Sequence, residues 1–155
     1  MLSISKFAAE ANAKVVEGLK RTIVATPVEK VEWSVLDTGR TILNQGAECV
    51  LIANFAALIL STKSCPEFSN EAYAAGLAEL DTVEKVLEGL DGASANLAKA
   101  IFEFPEDELE NTIQLPWFPE PQTYAGIMFI AYWNNTYHLG QINFIQTLFG
   151  DKEMH

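Results

Sequence analysis

Apolar residues recur along this chain with the spacing of amphipathic helices. A first helix is predicted from about Ser5 to Ala25, and Thr26-Pro27 ends it because proline disfavours helical backbone in the residue before it. A second helix is predicted to begin near Asp37 or Thr38, either of which is a suitable N-cap, and to reach about Leu60. Its inward positions are apolar apart from one glutamine: Ile42, Gln45, Cys49, Ile52, Ala56 and Ile59.

A short helix, a third long helix and a long connection follow. The short helix covers Asn70 to Leu77, and Asp81-Thr82-Val83-Glu84 is typical of a capping box that opens the third long helix. The apolar spacing keeps its phase on both sides of Gly92, so we predict one continuous helix, with a break at Asp91-Gly92 as the alternative. The residues from Phe104 to Gln122 form a proline-rich crossover connection, and a connection of this length usually has a topological or functional role.

The fourth long helix shows the most unusual pattern. It is predicted from about Thr123 to Phe149, with Gly150 as its stop. Buried polar groups cost free energy unless they find partners, so polar residues on its inward face predict either a ligand site or a hydrogen-bonded layer. These inward positions are Ile127, Ala131, Asn134, His138, Gln141, Ile145 and Leu148. Four long helices without a convincing strand pair predict an all-α four-helix bundle, with residues 1–155 as a single domain.

Composition and charge argue against several partners. Ten Lys and Arg against 21 Asp and Glu give a net charge of −11, which disfavours nucleic acid and anionic membranes. The apolar run from Cys49 to Leu60 is interrupted by Asn54 and is too short to cross a bilayer. Two cysteines do not make a disulfide framework, and the N-terminal segment, with Glu10 and Glu17, does not read as a signal peptide. We therefore expect a cytoplasmic protein that binds neither nucleic acid nor membrane.

The polar positions of the second and fourth helices are expected to converge. Asn134 and His138 are four residues apart and share one helix face, and Gln45 lies opposite them if the two helices pack together. One residue from one helix and such a pair from another is how a bundle builds a three-ligand metal site. Glu48 and Gln141 flank these positions and are further candidates for holding a ligand or cofactor.

Two segments resemble the DinB/YfiT-like superfamily: DTGRTILNQGAEC at positions 37–49 and YHLGQINFIQTLFG at positions 137–150. The resemblance implies a four-helix bundle with an unusual crossover, frequent dimerisation, and a divalent metal held by three histidines. Characterised members include thiol-dependent S-transferases and isomerases. In this chain the three metal positions correspond to Gln45, Asn134 and His138.

Two of these three positions carry amides. A carboxamide oxygen is a poor ligand for zinc, nickel or iron, so we expect no tightly bound metal and no other cofactor. The first hypothesis is a metal-free, non-catalytic bundle that binds a small polar molecule. The alternative is a metal- or thiol-dependent transferase or hydrolase in which His138 is a ligand or general base.

A homodimer that buries the fourth helix or the crossover connection is also expected. Aromatic residues surround much of this helix, and a helix that is apolar on several sides is either central in the bundle or covered by a partner. These aromatic residues are Tyr124, Phe129, Tyr132, Trp133, Tyr137, Phe144 and Phe149.

Overall fold

A computed structural model describes residues 3–155, apart from the side chain of Asp37. The α-helices of this part are α1 (Ile4–Ala25), α2 (Ile42–Thr62), α3 (Asn70–Glu79), α4 (Val83–Glu103) and α5 (Tyr124–Leu148). Short 3-10 turns cover Val28–Lys30, Val35–Asp37 and Glu106–Glu108. The strands β1 (Thr112–Ile113) and β2 (Gln122–Thr123) form one antiparallel pair. The predicted all-α four-helix bundle is confirmed, and the crossover connection contains this short strand pair.

The four long helices form a ring in which α5 packs on α1 and α2, and α4 packs on the same two helices. The hydrogen bond from Asn12 to the Met128 carbonyl and that from Gln146 to the Thr22 carbonyl show that α1 and α5 run parallel. Helices α4 and α5 lie diagonally across the ring, so the connection between them crosses one end of the bundle. The parallel arrangement and the diagonal crossover distinguish this bundle from a simple up-and-down one.

Each α-helix begins at a serine or threonine whose hydroxyl accepts a backbone N–H of the first turn, an interaction that contributes roughly 1 kcal/mol. For α2 this residue is Thr41, so the predicted start at Asp37 or Thr38 was wrong. The backbone instead closes a turn in which the Gly39 N–H donates to the Val35 carbonyl. A Cβ at Gly39 would lie 2.8 Å from that oxygen, so the tight turn requires glycine.

Helix α4 continues through Gly92, as the phase of its apolar positions predicted. Its capping box is incomplete. Thr82 is the N-cap, and its hydroxyl accepts a hydrogen bond from the backbone N–H of Lys85. The Lys85 ammonium binds the Asp81 carboxylate. A lysine at this position cannot return the hydrogen bond that a glutamate gives, which is why the box does not form.

The apolar positions of the helices meet in one core between α1, α2, α4 and α5. Most of the predicted inward positions of α5 are buried, but Leu148 is 47% exposed and Gln141 is half-buried. Ile142 and Gln146 are buried instead, because a straight helix drifts away from a strict repeat of seven.

Helix α2 is long and apolar enough to cross a bilayer by length and composition. However, 61% of its most apolar window is buried inside the bundle, which is typical of the core helix of a soluble protein.

Candidate functional site

Gln45 of α2 and His138 of α5 meet in the interior, where His138 is only 1% exposed. The Gln45 Oε1 lies 3.0 Å from His138 Nδ1, and the Gln141 Oε1 lies 3.1 Å from the same nitrogen. The Gln45 side chain is oriented by its Nε2, which donates a hydrogen bond to the Arg40 carbonyl at 3.3 Å. Its carboxamide oxygen therefore faces the imidazole.

The second ring nitrogen of His138 faces Glu48, which lies one helical turn after Gln45. His138 Nε2 is 3.0 Å from Glu48 Oε1. The other carboxylate oxygen accepts a hydrogen bond from the Tyr73 hydroxyl at 2.7 Å and forms an ion pair with Arg40. Glu48 of α2 thus binds one residue of α3, one of α5 and one of the turn before α2.

These contacts determine the ionisation of Glu48. Burial alone raises the pKa of a carboxyl group, but the hydrogen bonds from His138 and Tyr73 and the charge of Arg40 outweigh it and lower the pKa of Glu48 to about 2. Burial and the Glu48 carboxylate raise the pKa of Tyr73 to about 12. Near neutral pH, Glu48 is a carboxylate and Tyr73 is a neutral hydrogen-bond donor.

The same contacts fix the orientation of the His138 ring. Nδ1 faces the Gln45 and Gln141 oxygens, and Nε2 faces the Glu48 carboxylate. Both ring nitrogens therefore have protein oxygens as their neighbours.

Asn134, the third predicted site residue, lies apart from this network. Its Nδ2 contacts the Cys49 sulfur at 3.8 Å, and its side chain lines an aromatic cleft farther along the groove between α2 and α5. Cys49 is fully buried, and burial, followed by the nearby Glu48 charge, raises the pKa of its thiol far above the usual range. A thiol in this state is an inert core group.

A cavity of about 400 Å³ adjoins the network, and its polar lining comes from Arg40, Gln45 and Gln141. Tyr137 and Phe144 of α5 supply aromatic walls. This combination of a few polar groups and apolar walls is typical of a small-ligand site. Of the predicted site residues, Gln45 and Gln141 line this cavity. His138 contacts both of them, and Glu48 contacts His138, but these two side chains do not line the cavity.

Tyr73 and the role of Arg40 could not be derived from the sequence. Arg40 lies at the predicted start of α2, but it precedes the helix in the structure, where its guanidinium binds both Asn44 and Glu48. Tyr73 stands in the short helix α3, whose sequence NEAYAAGLAE is otherwise small and polar apart from Leu77. The only feature of the sequence that could have pointed to Tyr73 is that it is the one large hydroxyl-bearing side chain in this helix.

The residues at the predicted metal positions do not fit a metal centre. Both His138 nitrogens face protein oxygens. The positively charged Arg40 guanidinium beside Glu48 would repel a metal cation. Asn134 bonds elsewhere. Within residues 3–155 no group of three or more His, Cys, Asp or Glu side chains has a metal-binding arrangement.

Solved structures with the same fold were found, although no protein-family model and no curated protein matches the sequence. YfiT from Bacillus subtilis, described as a probable metal-dependent hydrolase with an unusual four-helix bundle topology, aligns with a TM-score of 0.79 and 12% identity. The alignment covers 94% of this chain and 87% of YfiT.

Two further structures extend the comparison. A conserved protein from Enterococcus faecalis has a TM-score of 0.74 and 13% identity, over 97% of this chain and all of that one. The mycothiol-dependent maleylpyruvate isomerase has a TM-score of 0.70 and 12% identity, over 92% of this chain but 63% of the isomerase. These structures confirm the predicted fold, which this chain shares with YfiT.

Proposed function

We propose that this chain, a bundle with the YfiT-like fold, is a metal-free protein that binds a small polar molecule beside the Gln45–His138–Glu48 network. The single observation that carries the proposal is that both ring nitrogens of His138 face protein oxygens. A metal ion or a substrate proton would have to displace one of these oxygens to reach a ring that is 1% exposed.

The charges of the network indicate which small molecules fit. Arg40 lines the cavity and carries a positive charge in a chain whose net charge is −11. It forms an ion pair with Glu48 on the side of the network. A small carboxylate with an apolar body complements both Arg40 and the Tyr137 and Phe144 walls.

The alternative of a metal- or thiol-dependent transferase or hydrolase that uses His138 is less well supported. YfiT and the isomerase are described as metal- and mycothiol-dependent, respectively. In this chain His138 is almost completely buried, and both of its ring nitrogens face protein oxygens. The homodimer expected from the sequence stays a prediction.

Benzoate is a suitable probe of the cavity. We expect titration followed by NMR to shift the backbone amides of Gly140 and Gln141, and Arg40→Gln to weaken binding at least about tenfold, which corresponds to the loss of one charge-assisted contact. Arg21→Gln is the matched control, because Arg21 lines a different groove, between α1 and α5. Equal weakening by both variants, or no binding to the wild type, contradicts the proposal.

Metal analysis of untagged protein separates the two functions. We expect zinc, nickel and iron well below one equivalent per chain. Near-stoichiometric metal that disappears in His138→Gln would overturn the proposal in favour of the metal-dependent alternative.

A further inference from the structure

A second cavity, of about 480 Å³, lies in the same groove between α2 and α5, toward the crossover connection. We call it the aromatic cleft. Its main walls are Phe55 of α2, Trp117 and Phe118 of the connection, and Phe129 and Trp133 of α5. Its volume falls in the range of roughly 300–1,000 Å³ that is typical of small-molecule sites.

Contacts within the protein fix the shape of this cleft. The rings of Phe55 and Trp117 lie 5.2 Å apart, and Phe68 supports Trp117 from the other side at 5.6 Å. The Gln114 amide donates to the Phe118 carbonyl at 2.7 Å, which anchors the connection at this point. These contacts restrain the walls on α2 and the connection, which therefore lose little conformational freedom when a ligand enters. Trp133, a wall on α5, is 68% exposed.

The polarity of the cleft restricts its ligand. Among the described residues, no Asp, Glu, Lys or Arg lines it. A charged molecule would lose its hydration there without gaining a counter-charge, so the ligand is uncharged. Flat aromatic walls favour a planar ring, which stacks or packs edge to face against them.

One polar side chain lies in this apolar surface. Asn134 is 7% exposed and lines the cleft. Its Nδ2 contacts Cys49, whereas its Oδ1 keeps some accessible surface and accepts no hydrogen bond from any residue between 3 and 155. An accessible carbonyl oxygen without a protein donor, set in an apolar surface, is a recognition group for a ligand that carries an N–H or O–H group.

We propose that the aromatic cleft binds a small, uncharged, planar aromatic molecule whose N–H or O–H group donates to Asn134. This site is distinct from the cavity beside Arg40. Trp133 lines the cleft and Tyr137 lines the cavity, and their rings stack at 5.8 Å, 9° from parallel, between the two spaces. The proposal does not depend on the function assigned to the His138 network.

N-phenyl-1-naphthylamine is a suitable probe, because it is neutral, aromatic, has one N–H group and becomes brighter in apolar surroundings. We expect saturable brightening with one probe per chain and a shift of the Gly126 amide in NMR spectra, since Gly126 lines the cleft. Trp133→Ala should weaken binding at least tenfold. Asn134→Leu, which keeps the side-chain shape and removes the acceptor, should weaken it about fivefold, as expected for one neutral hydrogen bond.

Two controls make the test specific. Phe144→Ala removes an exposed aromatic side chain of the same helix outside the cleft and should change probe affinity less than twofold. Arg40→Gln should leave probe binding unchanged while it weakens benzoate binding. The two proposed sites can therefore be tested, and contradicted, independently. Equal effects of Phe144→Ala and Trp133→Ala, or no saturable binding, overturn the proposal. A third outcome also overturns the proposal: the wild type is a dimer that does not bind the probe, and Trp133→Ala converts it to monomers. The cleft would then be an interface between two copies of the chain.

Discussion

Helix α5 has buried polar side chains on two sides, one facing α2 and one facing α1. The hydrogen-bond partners of these side chains differ between the two sides. Toward α2, both nitrogens of His138 contact oxygens, and ionised partners complete the network. Toward α1, the Gln146 amide donates to the Thr22 carbonyl. Asn135, on the same stripe as Gln146, is 1% exposed, and neither of its amide atoms has a hydrogen-bond partner within residues 3–155.

This comparison shows that burial of a polar group does not by itself identify a site. The α1 side contains neutral amides and hydroxyls that bond mainly to backbone carbonyls, which fixes how the helices are positioned. The α2 side contains opposite charges beside a cavity of about 400 Å³. Charge next to accessible space is the feature that points to ligand binding.

The largest effect is expected from His138→Leu. This change leaves the Glu48 carboxylate without one donor and the Gln45 oxygen without another, and breaking such a buried pair costs about 4 kcal/mol of unfolding free energy. Urea denaturation followed by circular dichroism measures it. His155→Leu, the same substitution in a half-buried pair with Asp151 at the end of the chain, should change stability by less than about 0.5 kcal/mol. A loss below about 1 kcal/mol for His138→Leu would show that the network contributes little.

A smaller effect is expected from acid. The pKa of Glu48 is lowered in the folded protein from 4.5 to about 2, so its contribution to stability is fully present above pH 4.5 and is lost as the pH falls toward 2. The shift corresponds to about 3 kcal/mol. Stability measured across this range should fall less steeply in Glu48→Gln than in the wild type. Parallel curves for the two proteins would mean that Glu48 has an ordinary pKa.

The smallest effect, and one of opposite sign, is expected from Asn135→Leu. The substitution keeps the branched shape and removes amide atoms that have no partner among the described residues, so we expect a gain of about 1 kcal/mol. Thermal and urea denaturation measure it. If Asn135→Leu lowers stability as much as His138→Leu, the proposed difference between the two sides of α5 does not hold.

The helical segments and the meeting of Gln45 with His138 could be predicted because both follow from helical period. The start of α2 could not, because a tight turn at Gly39 competes with helix extension there. The separation of Asn134 from His138 also escaped prediction. Residues four apart share a helix face, but one turn of rise is enough for Asn134 to reach Cys49 and the aromatic cleft while His138 reaches Glu48. Tyr73 enters the site through the packing of α3 on α2, which no local pattern encodes.

Helix α3 contributes no fully buried residue, yet its Tyr73 hydroxyl holds Glu48. A helix with so little buried surface opens at a small free-energy cost, and its amide protons exchange correspondingly fast. Any ligand or substitution that changes the charge on Glu48 therefore alters how firmly this peripheral helix is held. Hydrogen–deuterium exchange over 70–79 would consequently report the state of the interior network without a label placed inside it.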